Sequence, residues 1–192
     1  MLRLLFPLTL LVSSCGEESA PAYAEPPEYQ TLHHPKFKGA FFQMEHDGEQ
    51  YLVCSIHQAH LKPGAKVFRP GRKEPVIIGQ RIHKQQDLHL WTFEGPPVKS
   101  ADLLKYQADP EIRIDDRIFF LNQGKKIAAT VVALPQGEQF RHSYKTDKPF
   151  AANGLSGSPV FLPRTGSVIG VLQTANDKNK ATFGGFELLK LD

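Results

Sequence analysis

From Lys36 onward the chain alternates short runs of apolar, β-branched and aromatic residues with clusters of Gly, Pro, Asn and Asp, the pattern of strands separated by turns. Runs at 39–44, 51–56, 65–68, 76–82, 88–93, 117–121, 126–134, 158–162, 168–174 and 182–187 are predicted as strands. His46-Asp47-Gly48-Glu49 reads as a hairpin turn, and Asn122-Gln123-Gly124 as another. With 15 Gly and 15 Pro the chain is too rich in helix breakers for a helical bundle. The expected class is all-β, an antiparallel sandwich or barrel. The cluster Glu94-Gly95-Pro96-Pro97 divides it into halves, 36–97 and 98–192.

The first 35 residues follow a different pattern. Arg3 precedes an apolar run over 4–12 that has signal-peptide dimensions and is too short to span a bilayer. Its ending, Leu11-Val12-Ser13-Ser14-Cys15-Gly16, resembles a bacterial lipobox, which implies a signal peptide over 1–14 and lipidation of Cys15. The alternative is an ordinary secretory signal cleaved nearby. Both readings export the chain, to the cell envelope and, with the lipid, to a membrane surface facing away from the cytoplasm. Residues 16–35 hold four glutamates and four prolines without hydrophobic periodicity, and are expected to form a flexible tether from Cys15.

A net charge of +3 with no dense basic face argues against nucleic acid as a partner. Two cysteines in unlike contexts, Cys15 and Cys54, make no disulfide framework. His57 and His60 are three apart, with His33, His34, His83 and His89 elsewhere. No His-Glu-x-x-His or paired-Cys pattern accompanies them, so no metal site and no cofactor is expected.

Asn153-Gly154-Leu155-Ser156-Gly157-Ser158-Pro159-Val160 carries the most chemical information. A serine between glycines can present its hydroxyl at a sharp bend while the amides of Gly154 and Ser156 converge, as an oxyanion requires. The apolar run after Pro159 is a strand rather than a helix, so the segment is not an α/β-hydrolase elbow. It resembles the Gly-x-Ser-Gly-x-Pro motif of trypsin-like, chymotrypsin-fold serine peptidases of the secreted bacterial type. Tyr51-Leu52-Val53-Cys54-Ser55-Ile56-His57 is similar to that family's strand ending in histidine, and Gln86-Asp87-Leu88-His89-Leu90 to its Asp-Ile-Ala-Leu segment.

The resemblance implies two packed antiparallel Greek-key β-barrels with the active site in the cleft between them. It implies a Ser-His-Asp triad of Ser156, His57 and Asp87, with an oxyanion hole from the amides of Gly154 and Ser156. His60 competes with His57 as base; the apolar run stops directly before His57, which favours it. By the same resemblance Phe150, Leu172 and Thr174 wall the primary substrate pocket. No acid among them serves a basic side chain, so a small or apolar one is expected in a protein or peptide substrate. A catalytically inactive, lipid-anchored binding module with the same fold is the competing expectation.

Overall fold

The computed structural model describes residues 23–55, 61–96, 98–99, 103–138, 141–178 and 180–191. Among them there are twelve strands and no helix: β1 (Phe41–His46), β2 (Glu49–Ser55), β3 (Lys66–Phe68), β4 (Pro75–Gln85), β5 (Leu88–Glu94), β6 (Leu104–Lys105), β7 (Arg117–Asn122), β8 (Lys125–Ala133), β9 (Arg141–Thr146), β10 (Pro159–Leu162), β11 (Ser167–Lys178) and β12 (Ala181–Leu188). Both turns read from the sequence close hairpins. Asp47-Gly48 joins β1 to β2 and Gln123-Gly124 joins β7 to β8, each with positive φ at both residues. That is the type I′ geometry whose twist matches the flanking strands.

Every predicted run lies in a strand over its described residues, Ile56 falling outside them, with ends displaced by a few residues, and two strands escape the pattern. In β9 only His142, Tyr144 and Thr146 face inward, so one large apolar residue in six leaves no hydrophobic run to read. β6 is two residues long and pairs parallel to β1. It lies beyond the Glu94–Pro97 cluster and pairs with the first sheet, and Tyr106 directly after it bridges to Val168 of the second.

The strands form two sheets. The first runs β3-β4-β5-β2-β1-β6 and is open among the described residues; the second, β10-β11-β12-β9-β8-β7, closes into a barrel through the β10–β7 pair. Because β9 pairs with β12 and not with β10, the barrel has Greek-key topology. The expected pair of barrels is thus one closed barrel and one half-barrel.

Three cores hold this arrangement. One fills the first sheet around Leu52, Cys54, Ile78 and Trp91, and one fills the barrel around Phe120, Tyr144, Leu172 and Phe186. The third lies between the two sheets, joining Phe42, Met44, Leu88 and Leu90 to Leu121, Phe161, Val168 and Val171. Burying each such side chain stabilises by about 1.5–3 kcal/mol, so this core fixes how the sheets face each other across the cleft.

The segment from Tyr23 to His34, read from sequence as tether, lies against the folded body. Tyr29 and Leu32 are buried, Leu32 bridges to Phe41 and His33 to Phe68, and the Tyr29 hydroxyl accepts the Gln43 amide at 2.8 Å. Two isolated apolar residues anchor it, which no periodicity search detects.

Candidate active site

Ser156 stands in the loop between β9 and β10, at the junction of two tight turns. Leu155 N–H donates to the Ala152 carbonyl at 3.1 Å with Gly154 at φ +85°, and Ser158 N–H donates to the Leu155 carbonyl at 2.9 Å with Gly157 at φ +91°. Each is a type II turn, whose third residue must take positive φ and is therefore glycine. Ser156 is the second residue of the second turn. The amides of Gly154 and Ser156 take part in neither turn bond, which leaves two N–H groups beside the hydroxyl uncommitted by the loop's own geometry.

Both sheets pin this loop. Ala40 N–H, at the start of β1, donates to the Ser156 carbonyl at 2.8 Å, and a Cβ on Gly157 would lie 2.1 Å from the Ala40 oxygen. From the barrel, Gly157 N–H donates to the Leu172 carbonyl at 2.8 Å and Leu172 N–H to the Ser158 carbonyl at 2.9 Å. Beneath the loop the buried Asn122 amide donates to Ser158 Oγ at 2.7 Å, and Ser158 Oγ donates to the Leu155 carbonyl at 2.6 Å.

Gln173 on β11 gathers the other pieces. It is buried, and its carbonyl accepts the Ser156 hydroxyl at 3.1 Å. Its side-chain oxygen accepts the Ser55 hydroxyl at 2.9 Å, and its side-chain nitrogen donates to the Asp87 carbonyl at 3.4 Å. One residue of the barrel thus touches the serine, the acid and the last residue of β2. Ser55 pairs with Leu88, the neighbour of Asp87, so β2 ends beside the β4–β5 turn that carries the acid. The sequence reading passed over Gln173; its signal was a long polar side chain inside the apolar run Val168 to Ala175.

His57 and His60, the candidate bases, lie outside the described residues, as does Cys15, the candidate lipidation site. The Asp87 side chain is 13% exposed, and its Oδ2 lies 3.6 Å from Arg141 Nη2. On β12, in register with Arg141, stands Glu187, 1% exposed. Burial pushes its carboxyl up to about 7, against the pull of Arg141. His89, beside Cys54 in the β2–β5 register, is buried against Trp91, and burial lowers it to about 4, so its ring is neutral at pH 7. Burial pushes the Cys54 thiol up to about 12. Among the described residues no three His, Cys, Asp or Glu side chains converge to hold a metal ion.

Two concavities flank the loop. One, of about 400 Å³, is lined by Ala152, Asn153, Gly154, Ser156 and the β11 segment Leu172 to Ala175, which includes Thr174. The Tyr144 hydroxyl donates to the Thr174 carbonyl at 3.0 Å, tying this wall to β9. The other, of about 490 Å³, runs past Gly154 toward Phe37, Lys38 and Lys125. Phe150 lines this second groove and not the first. Its amide donates to Thr182 Oγ1 at 3.2 Å and its ring packs on the barrel core.

A double-sheet body with a serine loop at the seam has solved counterparts. The serine protease of a human pathogenic astrovirus superposes with a TM-score of 0.60 at 18% identity, covering 88% of this chain and 94% of the other. The chain has the chymotrypsin fold. Kallikrein-related peptidase 10 matches with a TM-score of 0.63 at 12% identity, over 88% of this chain and 93% of its own. A Nocardiopsis protease matches at 0.53 and 9%, over 84% and 91%. No protein-family model matches the sequence, and no curated protein does.

Proposed function

We propose that this chain is a serine endopeptidase that hydrolyses peptide bonds through an acyl-enzyme. In this reading the base takes the Ser156 proton as Oγ attacks the scissile carbonyl. The amides of Gly154 and Ser156 hold the developing oxyanion. The base then returns its proton to the leaving amine, and water releases the acyl group by the same path. His57 is the proposed base and Asp87 its orienter. The observation that carries the reading is Gln173, whose hydrogen bonds bring Ser156, Asp87 and the end of β2, two residues before His57, to one point.

Leu172 and Thr174 belong to the cavity beside Ser156, and no acidic side chain among the described residues lines it, which supports a small or apolar residue in the primary pocket. We further propose that the protein acts outside the cytoplasm, tethered through a lipid on Cys15.

A fluorophosphonate probe tests the nucleophile without knowledge of the substrate. Labelling of the purified protein is expected, with its loss in Ser156→Ala. Loss in His57→Ala with retention in His60→Ala identifies the base. A folded protein that takes no label is instead the inactive binding module.

A further inference from the structure

We propose that Arg141 and Glu187 form a charge couple behind Asp87 that sets the field Asp87 presents to the base, with Glu187 keeping Arg141 from cancelling that field. The inference rests on Asp87 being the acid of the triad.

The geometry has three parts. Arg141 on β9 and Glu187 on β12 are register partners in the barrel wall, and the arginine reaches across the seam to within 3.6 Å of Asp87 in the first sheet. Glu187 is 1% exposed, and its carboxylate makes no well-aligned hydrogen bond among the described residues, the Gln85 amide and the Asp87 backbone N–H being the donors nearest to it. The groups that face it are Arg141 from β9, Asp87 from the β4–β5 turn and the Gln85 amide at the end of β4. That amide gives one N–H to the Leu188 carbonyl and accepts Lys190 N–H at its oxygen, both at 3.0 Å, while its nitrogen and the Asp87 backbone N–H both favour the ionised form of Glu187. Of these groups Arg141 is the one that carries a positive charge.

A wall position between Phe186 and Leu188 gains stability from an apolar side chain, whereas a buried carboxylate is costly there. Its presence calls for a role in the site. A guanidinium beside the acid of a triad works against that acid, because it stabilises the same carboxylate charge that must stabilise the imidazolium of the base. With Glu187 ionised, the group Asp87–Arg141–Glu187 has net charge −1, and the field at the base is restored. With Glu187 protonated or removed, the group is neutral and the base loses proton affinity. Burial places the Glu187 ionisation near neutral pH, where the switch between these two conditions matters.

The test follows the rate of fluorophosphonate labelling of the whole chain from pH 5 to 9. Glu187→Gln, close in shape to the native residue, is expected to fold as the parent does by near-ultraviolet circular dichroism. Its labelling at pH 8, where Glu187 of the parent is ionised, should fall about tenfold, with the limb that reports the base moving down by about one pH unit, the scale of one unit charge acting at this range through a protein interior. The double variant Arg141→Met/Glu187→Gln removes both charges and should recover to within about threefold of the parent. A merely structural role moves neither the pH limb nor the recovery. Glu187→Gln with the parental rate and limb overturns the couple, and so does a double variant no faster than the single one. In both cases the parent labels at Ser156 and the peptidase reading stands. A parent that takes no label anywhere in this range overturns both.

Discussion

Substituting Gly157 by alanine isolates what holds the serine loop in the cleft. The added Cβ would lie 2.1 Å from the Ala40 carbonyl oxygen, 3.1 Å from its carbon and 3.3 Å from the Ser55 amide nitrogen, all of them backbone atoms that no rotamer change removes. The loop must therefore retreat from β1 by an ångström or more and lose the Ala40 N–H bond to the Ser156 carbonyl. Left-handed φ in a non-glycine residue costs about 1–2 kcal/mol, the lost bond about 1, and the forced displacement about 1–3. The sum, roughly 3–6 kcal/mol, is a large share of the ~5–15 kcal/mol that stabilises a typical domain. At about 2–4 °C per kcal/mol, Tm should fall by about 6–24 °C. Gly154→Ala is the control. It has nearly the same φ, +85°, but nothing lies within 4 Å of its Cβ, so only the backbone cost of about 1–2 kcal/mol applies. Differential scanning calorimetry of the two variants separates packing from φ. A Gly157→Ala protein that melts within about 2 °C of Gly154→Ala would refute the close approach as the determinant of loop position.

Two buried groups should oppose each other in acid. The folded state holds the Glu187 proton more tightly than the unfolded chain, so stability rises as pH falls from about 7 to 4.5. It resists protonation of His89, so stability falls as pH drops from 6.5 to about 4. Each amounts to about 3 kcal/mol over its window. Urea denaturation of the parent should therefore be nearly flat between pH 6.5 and 4.5, while Glu187→Gln loses stability on acidification and His89→Leu gains it; parallel curves for all three proteins would contradict both assignments. In a Cys15→Ser background Cys54 is the sole thiol. Buried and with its thiol pushed up to about 12, it should resist a disulfide reagent at pH 8 until the protein is unfolded; rapid labelling of the native protein would show that the first-sheet core opens. Tyr144→Phe removes the hydroxyl that holds the Thr174 carbonyl and should cost about 1 kcal/mol in chemical denaturation, with no loss expected if that carbonyl finds water instead.

Local pattern determined much of this protein. Strand runs, the Asp47-Gly48 and Gln123-Gly124 hairpins and the double-glycine serine loop are legible because each depends on residues a few positions apart: side-chain alternation, positive φ, and the glycine that a type II turn requires. The likeness of Ser156 and Asp87 to positions in a known motif is legible for the same reason. Other features depend on partners far along the chain, and only the tertiary structure decided them. Strand β9 exists because β8 and β12 offer it edges, not because Arg141 to Thr146 alternates strongly. Tyr29 and Leu32 are buried because β1 and β3 lie beside them. Phe150 lines the second groove, with its amide on Thr182 Oγ1 and its ring against the barrel core. Closing one barrel against the first sheet brings Gln173 within hydrogen-bond reach of Ser55, 118 positions away, and Arg141 within ion-pair reach of Asp87. A linear pattern records what each residue prefers locally; which distant residue it meets is set by the register of the whole sheet.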